Sequence, residues 1–204
     1  MIVMHHLRVG RAIFTTWLLE ELGVEYELKL YDRNEQGRAP AELKAAHPLG
    51  KSPVIEDGGV TLAESGAITT YLIETYDAGG KLSPPAADTA ARMKYLQWLH
   101  YSEASAFAPL LLNMLLMRED PKPPVISAFT AAEVELHLDY FSAALGDQDY
   151  ILGSAFSGAD IGCAFVANMA VKFGVAGEHT NLAAYIQRCQ ARPAFQKAME
   201  KTGG

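Results

Sequence analysis

The chain is most constrained by a proline-containing turn at residues 50–55, which leads into a short apolar strand. Pro53 has no N–H group to donate, so it belongs at the start or the edge of a strand. Val54, the next residue, keeps both main-chain groups. If the Ser52–Pro53 bond is cis, the chain turns sharply and the N–H and C=O of Val54 face outward, where an extended peptide can pair with them.

The same turn is followed closely by a helix start. Residues 62–68 place Glu64 and Ser65 at the beginning of an apolar-periodic helix. Exposed N–H groups and the helix dipole favour a ligand carboxylate at such a position, while the Glu64 carboxylate suits an ammonium group. The two features together predict a receptor for a small zwitterionic peptide.

Composition excludes several classes of partner. The chain has 204 residues, enough for one large domain or two small ones. Its 17 basic and 24 acidic residues give a net charge of −7, which argues against nucleic acids and anionic membranes as partners. The longest apolar run, residues 106–117, is shorter than the roughly 20 residues of a membrane span.

Neither the cysteines nor the histidines have the spacing of a metal site. Cys163 and Cys189 are far apart in the sequence, which is typical of free thiols in a reducing cytosol. His5 and His6 are adjacent on a predicted strand, so their side chains point to opposite faces. We expect at least one of the two to be buried and neutral.

The N-terminal part of the chain has the order β-α-β-α-β-β-α, typical of a thioredoxin-like domain. Alternating and helical periodicities support this order, and Gly23 is expected to cap the first helix. We predict strands at 2–6, 25–31, 54–56 and 60–62, and helices at 12–22, 40–46 and 64–76.

The remainder of the chain is predicted to be helical. A segment rich in glycine and proline, residues 78–87, separates a domain at 1–77 from an all-helical domain at 88–204. The first helix, 88–117, contains Pro109 and should bend there. Further helices are expected at 125–145, 158–173, 182–192 and 194–201. A capping box of Ser157 and Asp160 starts one of them, and we interpret both residues as structural.

Three segments of the chain, residues 49–65, 17–23 and 98–103, resemble cytosolic glutathione S-transferases. The similarity is to the bacterial and fungal branch that uses an N-terminal serine, and it extends over nearly the whole chain. It implies the two-domain glutathione transferase architecture, a cis Pro53, a Val54 main chain paired with the cysteinyl residue of glutathione, and Glu64 and Ser65 at its γ-glutamyl end.

The resemblance also implies an activity: an enzyme-held glutathione thiolate attacks a small, apolar electrophile. It implies a cytoplasmic homodimer with a role in detoxification, and no cofactor beyond glutathione as co-substrate. Two alternatives stay open. One is a glutathione-dependent peroxidase or disulfide reductase on the same site. The other is a non-catalytic binding or regulatory protein with the transferase fold.

The chief departure from the family pattern is at the position of the catalytic serine, which is occupied by Gly10. No Ser, Tyr or Cys lies between Met1 and Phe14. A free thiol has a pKa of roughly 8.5, so a donor is needed to raise the thiolate fraction. The candidates are the charge of Arg11, the charge of Arg8, and the main-chain N–H groups near Gly10 and Arg11. We favour Arg11 with help from the main chain.

The remaining site residues are expected around the two ends of the peptide and in a cleft between the domains. Lys51, with His47 as a second candidate, suits the glycyl carboxylate of glutathione. Glu103 suits its ammonium group or a contact with a partner subunit. The glutathione site then includes Lys51, Ser52, Pro53 and Val54. The pocket for the second substrate is predicted to include Arg8, Tyr101, Ser105 and Met114.

Overall fold

The computed structural model describes residues 1–203. Its contacts divide the chain into two compact units. The first unit joins residues 1–80 to the C-terminal residues from Gln190 onward, and the second contains residues 81–189.

A four-stranded sheet forms the centre of the first unit. The strands are β1 (Ile2–Leu7), β2 (Tyr26–Tyr31), β3 (Val54–Asp57) and β4 (Val60–Ala63), in the spatial order β2-β1-β3-β4. β1 is parallel to β2 and antiparallel to β3, and β3 is antiparallel to β4. The four predicted strands are confirmed, with differences of one residue at their ends.

Three helices complete the predicted order in this part of the chain: α1 (Ala12–Leu22), α2 (Leu43–Ala46) and α3 (Ser65–Tyr76). Gly23 caps α1 in the left-handed region, at φ 65°, as its sequence position predicted. The β-α-β-α-β-β-α order is therefore confirmed, although α2 is shorter than the predicted helix at 40–46.

The two adjacent histidines of β1 point to opposite faces of the sheet, as predicted. His6 Nδ1 lies 2.8 Å from Thr16 Oγ1, on the face covered by α1. His5 lies on the other face, with its Nδ1 2.9 Å from Tyr31 Oη and its Nε2 2.7 Å from Glu56 Oε1. Both side chains are buried.

The second unit is built from helices α4 (Thr89–Tyr101), α5 (Phe107–Leu116), α6 (Pro124–Leu145), α7 (Gly158–Lys172) and α8 (Thr180–Gln190). The segment predicted as a helix at 88–117 is helical from Thr89 to Leu116, but a π-helical turn, Ser102–Ala106, lies between α4 and α5. Pro109, which cannot donate a main-chain hydrogen bond, lies in the first turn of α5. The irregular segment is thus N-terminal to the proline rather than at it.

Asp160 has the structural role that the sequence predicted. Its carboxylate accepts hydrogen bonds from Ser157 N, Ser157 Oγ and Ile151 N, each at 2.8 Å, and from Tyr185 Oη at 2.9 Å. The carboxylate is fully buried, and this burial raises its pKa against the effect of the four donors. Asp160 thereby connects the start of α7 to α8 and to the preceding loop.

The last helix, α9 (Pro193–Thr202), belongs to the first unit by its contacts. The sequence had placed it in the helical domain at 88–204. Phe195 packs edge-on against Trp17, with 5.1 Å between ring centroids. Arg192 donates two hydrogen bonds to Glu21, at 2.6 and 2.8 Å, and Lys197 pairs with Glu20 at 2.7 Å. Aromatic packing and these partly buried ion pairs hold α9 against α1.

The helices also bear on the exclusion of a membrane partner. Among residues 1–203, none combines the length and the apolar character that a membrane-spanning helix needs. The same residues contain no group of three or more His, Cys, Asp or Glu side chains placed to hold a metal ion. Both cysteines are buried thiols, and burial raises the pKa of the Cys163 thiol.

Close packing of α7 on the π-helical turn generates a first prediction. A Cβ atom at Gly162 would lie 2.3 Å from Ser102 Oγ and 3.0 Å from Ser102 Cβ. We expect Gly162→Ala to lower the free energy of unfolding by about 1–3 kcal/mol, because the two helices must separate. Ser102→Ala removes the closest atom, so the double variant should lose less stability than the two single variants combined. Urea unfolding of the four proteins measures this coupling, and strictly additive losses would contradict it.

The buried His6 generates a second prediction. Burial, together with the nearby positive charge of Arg8, lowers the pKa of His6 to about 4, below the value of about 6.5 expected in the unfolded chain. The unfolded chain therefore binds a proton that the folded chain does not. Stability should fall by about 3 kcal/mol as the pH decreases from 7 to 4. Urea unfolding between these pH values tests this, with His6→Asn as the comparison. An equally steep pH dependence in the variant would assign the effect to other groups.

Candidate functional site

The Pro53 turn is joined to the end of β1 by one side chain. The Ser52–Pro53 peptide bond is cis, as the resemblance implied. Ser52 Oγ donates to the main-chain oxygen of His5 at 2.7 Å and accepts from the main-chain nitrogen of Leu7 at 3.1 Å. The hydroxyl thus takes the place of a strand partner where the pairing of β1 with β3 ends. It holds the turn directly beside the loop that follows β1.

The structure corrects the assignment of the docking edge to Val54. Val54 lies in a central strand, in register with His5 of β1 on one side and Ala63 of β4 on the other. Its main-chain groups therefore face neighbouring strands, and its side chain is fully buried. In residues 1–203, the N–H and C=O of Ser52 pair with no other main-chain group. The strand-like edge is accordingly at Ser52, one residue before the proline.

Glu64 and Ser65 follow directly after β4. The last residue of β4, Ala63, is in register with Val54, the residue after Pro53. Glu64 has a φ of 74°, in a region that L-residues other than Asn and Asp seldom adopt. Ser65 is the buried first residue of α3. A strained residue at a helix N-terminus is typical of a ligand-binding position.

The loop between β1 and α1 contains the position of the missing serine. Val9 is exposed and has a φ of 57°, which is rare for a β-branched residue. Gly10 follows it. Arg11 is the N-cap residue of α1, and its main chain already has a helical conformation. Main-chain N–H groups at this helix start are therefore adjacent to Gly10, as predicted.

Arg8 is engaged within the first unit. Its Nη1 donates to Asp32 Oδ1 at 2.8 Å, and its Nε donates to the main-chain oxygen of Thr202 at 3.0 Å. These contacts pair Arg8 with a carboxylate and connect the loop to the end of α9. They give Arg8 a positioning role, in contrast to the role in a substrate pocket that the sequence suggested.

Sequence reasoning missed Arg33, which lies in the loop between β2 and α2. Its Nη2 donates to the main-chain oxygen of Val9 at 2.7 Å, and its Nη1 donates to that of Gly37 at 3.0 Å. A Cβ atom at Gly10 would lie 3.2 Å from Nη2. Because 23 positions separate Gly10 from Arg33, no local pattern could have indicated this contact.

The candidates for the glycyl carboxylate lie in the segment that leads to the turn. Lys51 is exposed. His47 is half-buried, and its Nδ1 has no hydrogen-bond partner in residues 1–203. Gly50 between them has a φ of 56°, and a Cβ atom there would lie 2.9 Å from Lys44 Cγ. Glycine is therefore required to bring Lys51 to the start of the turn.

The other predicted site residues belong to the second unit. Glu103 and Ser105 are on the π-helical turn, and Met114 is on α5. Tyr101 is the last residue of α4, and its hydroxyl hydrogen-bonds to His137 Nδ1 at 2.9 Å and to the His137 main-chain oxygen at 3.1 Å.

The contacts of Tyr101 differ from those expected of a pocket residue. Its ring packs against Trp98 and Tyr140, with centroids 5.0 and 5.3 Å away. Burial is the main cause that raises the pKa of its hydroxyl. Tyr101 is therefore part of an aromatic cluster that joins α4 to α6, and its hydroxyl is already hydrogen-bonded there. The assignments of Glu103, Ser105 and Met114 stay predictions.

Comparison with known proteins identifies the family. The model of the glutathione S-transferase N-terminal domain matches residues 1–74, and that of the C-terminal domain matches residues 110–193. Glutathione S-transferase 3 of Schizosaccharomyces pombe is 34% identical, over 98% of this chain and 88% of the relative. Glutathione S-transferase 1 of Saccharomyces cerevisiae is 30% identical, over 98% and 94%.

Solved structures support the same family and fold. A glutathione S-transferase from Actinobacillus pleuropneumoniae has a TM-score of 0.91 and 37% identity, covering 100% of this chain and 94% of that one. A glutathione transferase homologue from Lodderomyces elongisporus, solved with two GSH per subunit, has a TM-score of 0.84 at 23% identity, over 98% of each chain, and supports the fold alone.

The chain belongs to the glutathione S-transferase family. The expected architecture, a thioredoxin-like N-terminal domain followed by a helical C-terminal domain, is confirmed. The resemblance stated from residues 49–65, 17–23 and 98–103 was therefore correct.

The hydroxyl of Ser52 generates a third prediction. We expect Ser52→Ala to lower the free energy of unfolding by about 1–3 kcal/mol, because the His5 oxygen and the Leu7 nitrogen lose their partner. Ser154→Ala, at an exposed serine, is the matched control and should change stability by less than about 0.5 kcal/mol. Chemical denaturation of both variants measures the difference. Equal stability of the two would show that the hydroxyl does not support the turn.

Proposed function

We propose that this protein is a glutathione transferase, which binds glutathione in the first unit and activates its thiol for attack on a small apolar electrophile. The observation that carries the proposal is the convergence of three segments. The Ser52 hydroxyl joins the Pro53 turn to the end of β1, and Glu64 and Ser65 directly follow Ala63, which is in register with Val54 next to that turn.

Each segment suits one part of the peptide. The unpaired main chain of Ser52 matches the main chain of the cysteinyl residue, as in β-strand addition. Glu64 and the start of α3 suit the ammonium and carboxylate groups of the γ-glutamyl end. Lys51, with His47, suits the glycyl carboxylate, and Glu103 suits the ammonium group from its own or from a partner subunit.

With the cysteinyl residue at Ser52, its sulfur would lie next to the loop at Gly10 and Arg11. The first main-chain N–H groups of α1 and the Arg11 guanidinium are then the thiolate donors that we propose. The second substrate would be bound by residues of the second unit, among them Ser105 and Met114. The proposal requires no metal and no further cofactor.

Cellular context and assembly are also proposed. The family supports a cytoplasmic detoxification enzyme and a homodimer. Exposed apolar side chains on α4 and α6, such as Met93 and Leu136, offer surface for self-association. Light scattering coupled to size exclusion measures the oligomeric state, and a monomeric mass would contradict the dimer.

Glutathione peroxidase or disulfide reductase chemistry is the second candidate. Its specific support is Gly10, because in these reactions glutathione supplies the redox-active sulfur and the missing hydroxyl matters less. A protein that binds no glutathione would have no need of the Lys51–Val54 turn followed by Glu64 and Ser65, whereas a non-catalytic protein that binds glutathione would retain them. Parallel assays with an aryl halide, a hydroperoxide and a mixed disulfide distinguish the three functions.

The proposed function is tested by the thiolate absorbance of glutathione mixed with the protein, followed against pH. A thiol that titrates well below the free value of roughly 8.5 would support activation. Arg11→Ala should then reduce turnover tenfold or more with little change in stability. Unchanged turnover would remove Arg11 from the catalytic role, and a protein that binds no glutathione would overturn the whole proposal.

A further inference from the structure

The guanidinium of Arg33 lies where a side chain at position 10 would project. A Cβ atom at Gly10 would be 3.2 Å from Arg33 Nη2, and the next closest atom, the main-chain oxygen of Leu7, would be 4.0 Å away. In relatives with a serine at this position, the side chain would extend into the same space. In this chain that space is occupied by a hydrogen-bond donor from another loop.

Two main-chain carbonyl groups hold Arg33 in place. Nη2 donates to Val9 at 2.7 Å and Nη1 donates to Gly37 at 3.0 Å. Gly37 belongs to a turn organised by Asn34, whose Oδ1 accepts from the main-chain nitrogens of Gln36 and Arg38 at 3.1 and 2.9 Å. Both terminal nitrogens of the Arg33 guanidinium are thus hydrogen-bonded to main-chain carbonyl groups in two loops.

The charge of Arg33 is not neutralised by a neighbour. Both of its partners are neutral carbonyl oxygens, and within residues 1–203 no carboxylate forms an ion pair with it. The adjacent Asp32 pairs with Arg8 instead, at 2.8 Å. A guanidinium stays protonated at all physiological pH values. A full positive charge with further N–H donors is therefore available beside Gly10.

We propose that Arg33 supplies the thiolate donor that Gly10 lacks. The inference rests on the proposed function, and it names a further catalytic residue for it. An N–H group of Arg33 would point at the glutathione sulfur, and its charge would stabilise the thiolate over the thiol. The S–H proton leaves to the solvent. The sulfur lone pair then forms the C–S bond, and on an activated aryl halide the halide departs with its bonding pair.

The backbone at Gly10 allows a serine hydroxyl to replace the Arg33 guanidinium as the hydrogen-bond donor. Gly10 is not among the residues with positive φ, so a serine fits its conformation. The closest atom to an added Cβ, Arg33 Nη2, is absent in an Arg33→Gln background. Gly10→Ser in an Arg33→Gln background should therefore restore a donor from position 10 in place of the lost guanidinium.

The experiment compares thiol ionisation with peptide affinity. The thiol pKa of bound glutathione is obtained from thiolate absorbance against pH, and binding of glutathione and S-methylglutathione is measured by calorimetry. We expect Arg33→Gln to raise the bound thiol pKa by one unit or more, and to change S-methylglutathione affinity by less than twofold. Arg33→Lys should give an intermediate pKa, and the Gly10→Ser, Arg33→Gln double variant a pKa near that of the wild type.

Arg38→Gln is the matched control, because Arg38 is an exposed arginine in the same connection. It should leave the thiol pKa at the wild-type value. Thermal unfolding establishes that each variant is folded. Should Arg33→Gln not fold, the Arg33→Lys protein carries the test, because it retains the charge and loses the fork of donors.

Two results would overturn the inference. An unchanged thiol pKa in Arg33→Gln would exclude Arg33 as the donor. An equal loss of affinity for glutathione and S-methylglutathione, without a pKa change, would assign Arg33 to a carboxylate of the peptide. Failure of the proposed function is a different outcome, since the wild-type protein would then bind neither compound.

Discussion

The candidate site depends on one hydroxyl group, that of Ser52, which satisfies two main-chain groups of β1 beyond the end of its pairing with β3. Without a partner, the His5 oxygen and the Leu7 nitrogen would be left unpaired at a partly buried strand end, at a cost of about 1–3 kcal/mol. With it, the turn before Pro53 and the loop after β1 have a fixed separation. The β3–β4 pairing separately brings Ala63 beside Val54, and α3 begins two residues later at Ser65.

The first unit is completed by the last helix of the chain. Glu20 and Glu21 on α1 hold basic side chains of α9, and Arg8 connects the loop after β1 to the carbonyl of Thr202. The loop proposed to activate sulfur is therefore supported by residues nearly 200 positions away. Partly buried ion pairs between fixed helices are geometrically better defined than exposed ones, which is suited to holding a reactive loop in position.

Much of the fold could be predicted because periodicity and capping act over short distances. The strands, α1 with Gly23, and the capping box of Ser157 and Asp160 all depend on neighbouring residues. The π-helical turn within the helix at 88–117 could not be predicted from Pro109 alone. Its Ser102 packs closely against Gly162 on another helix. Likewise, the position of Val54 inside the sheet depends on strand order rather than on the proline beside it.

The sequence by itself determined four features: the family, the cis-proline turn, the helix start at Glu64 and the absence of a serine at Gly10. Each of them depends on the residues of one contiguous segment. Only the tertiary structure decided that Ser52 rather than Val54 presents the free main chain, and that Arg33 lies over Gly10. The physical reason is that strand order and loop contacts join residues that are distant in the chain. The side chains that meet where two distant segments are in contact can therefore be identified only from the fold, and not from either segment alone.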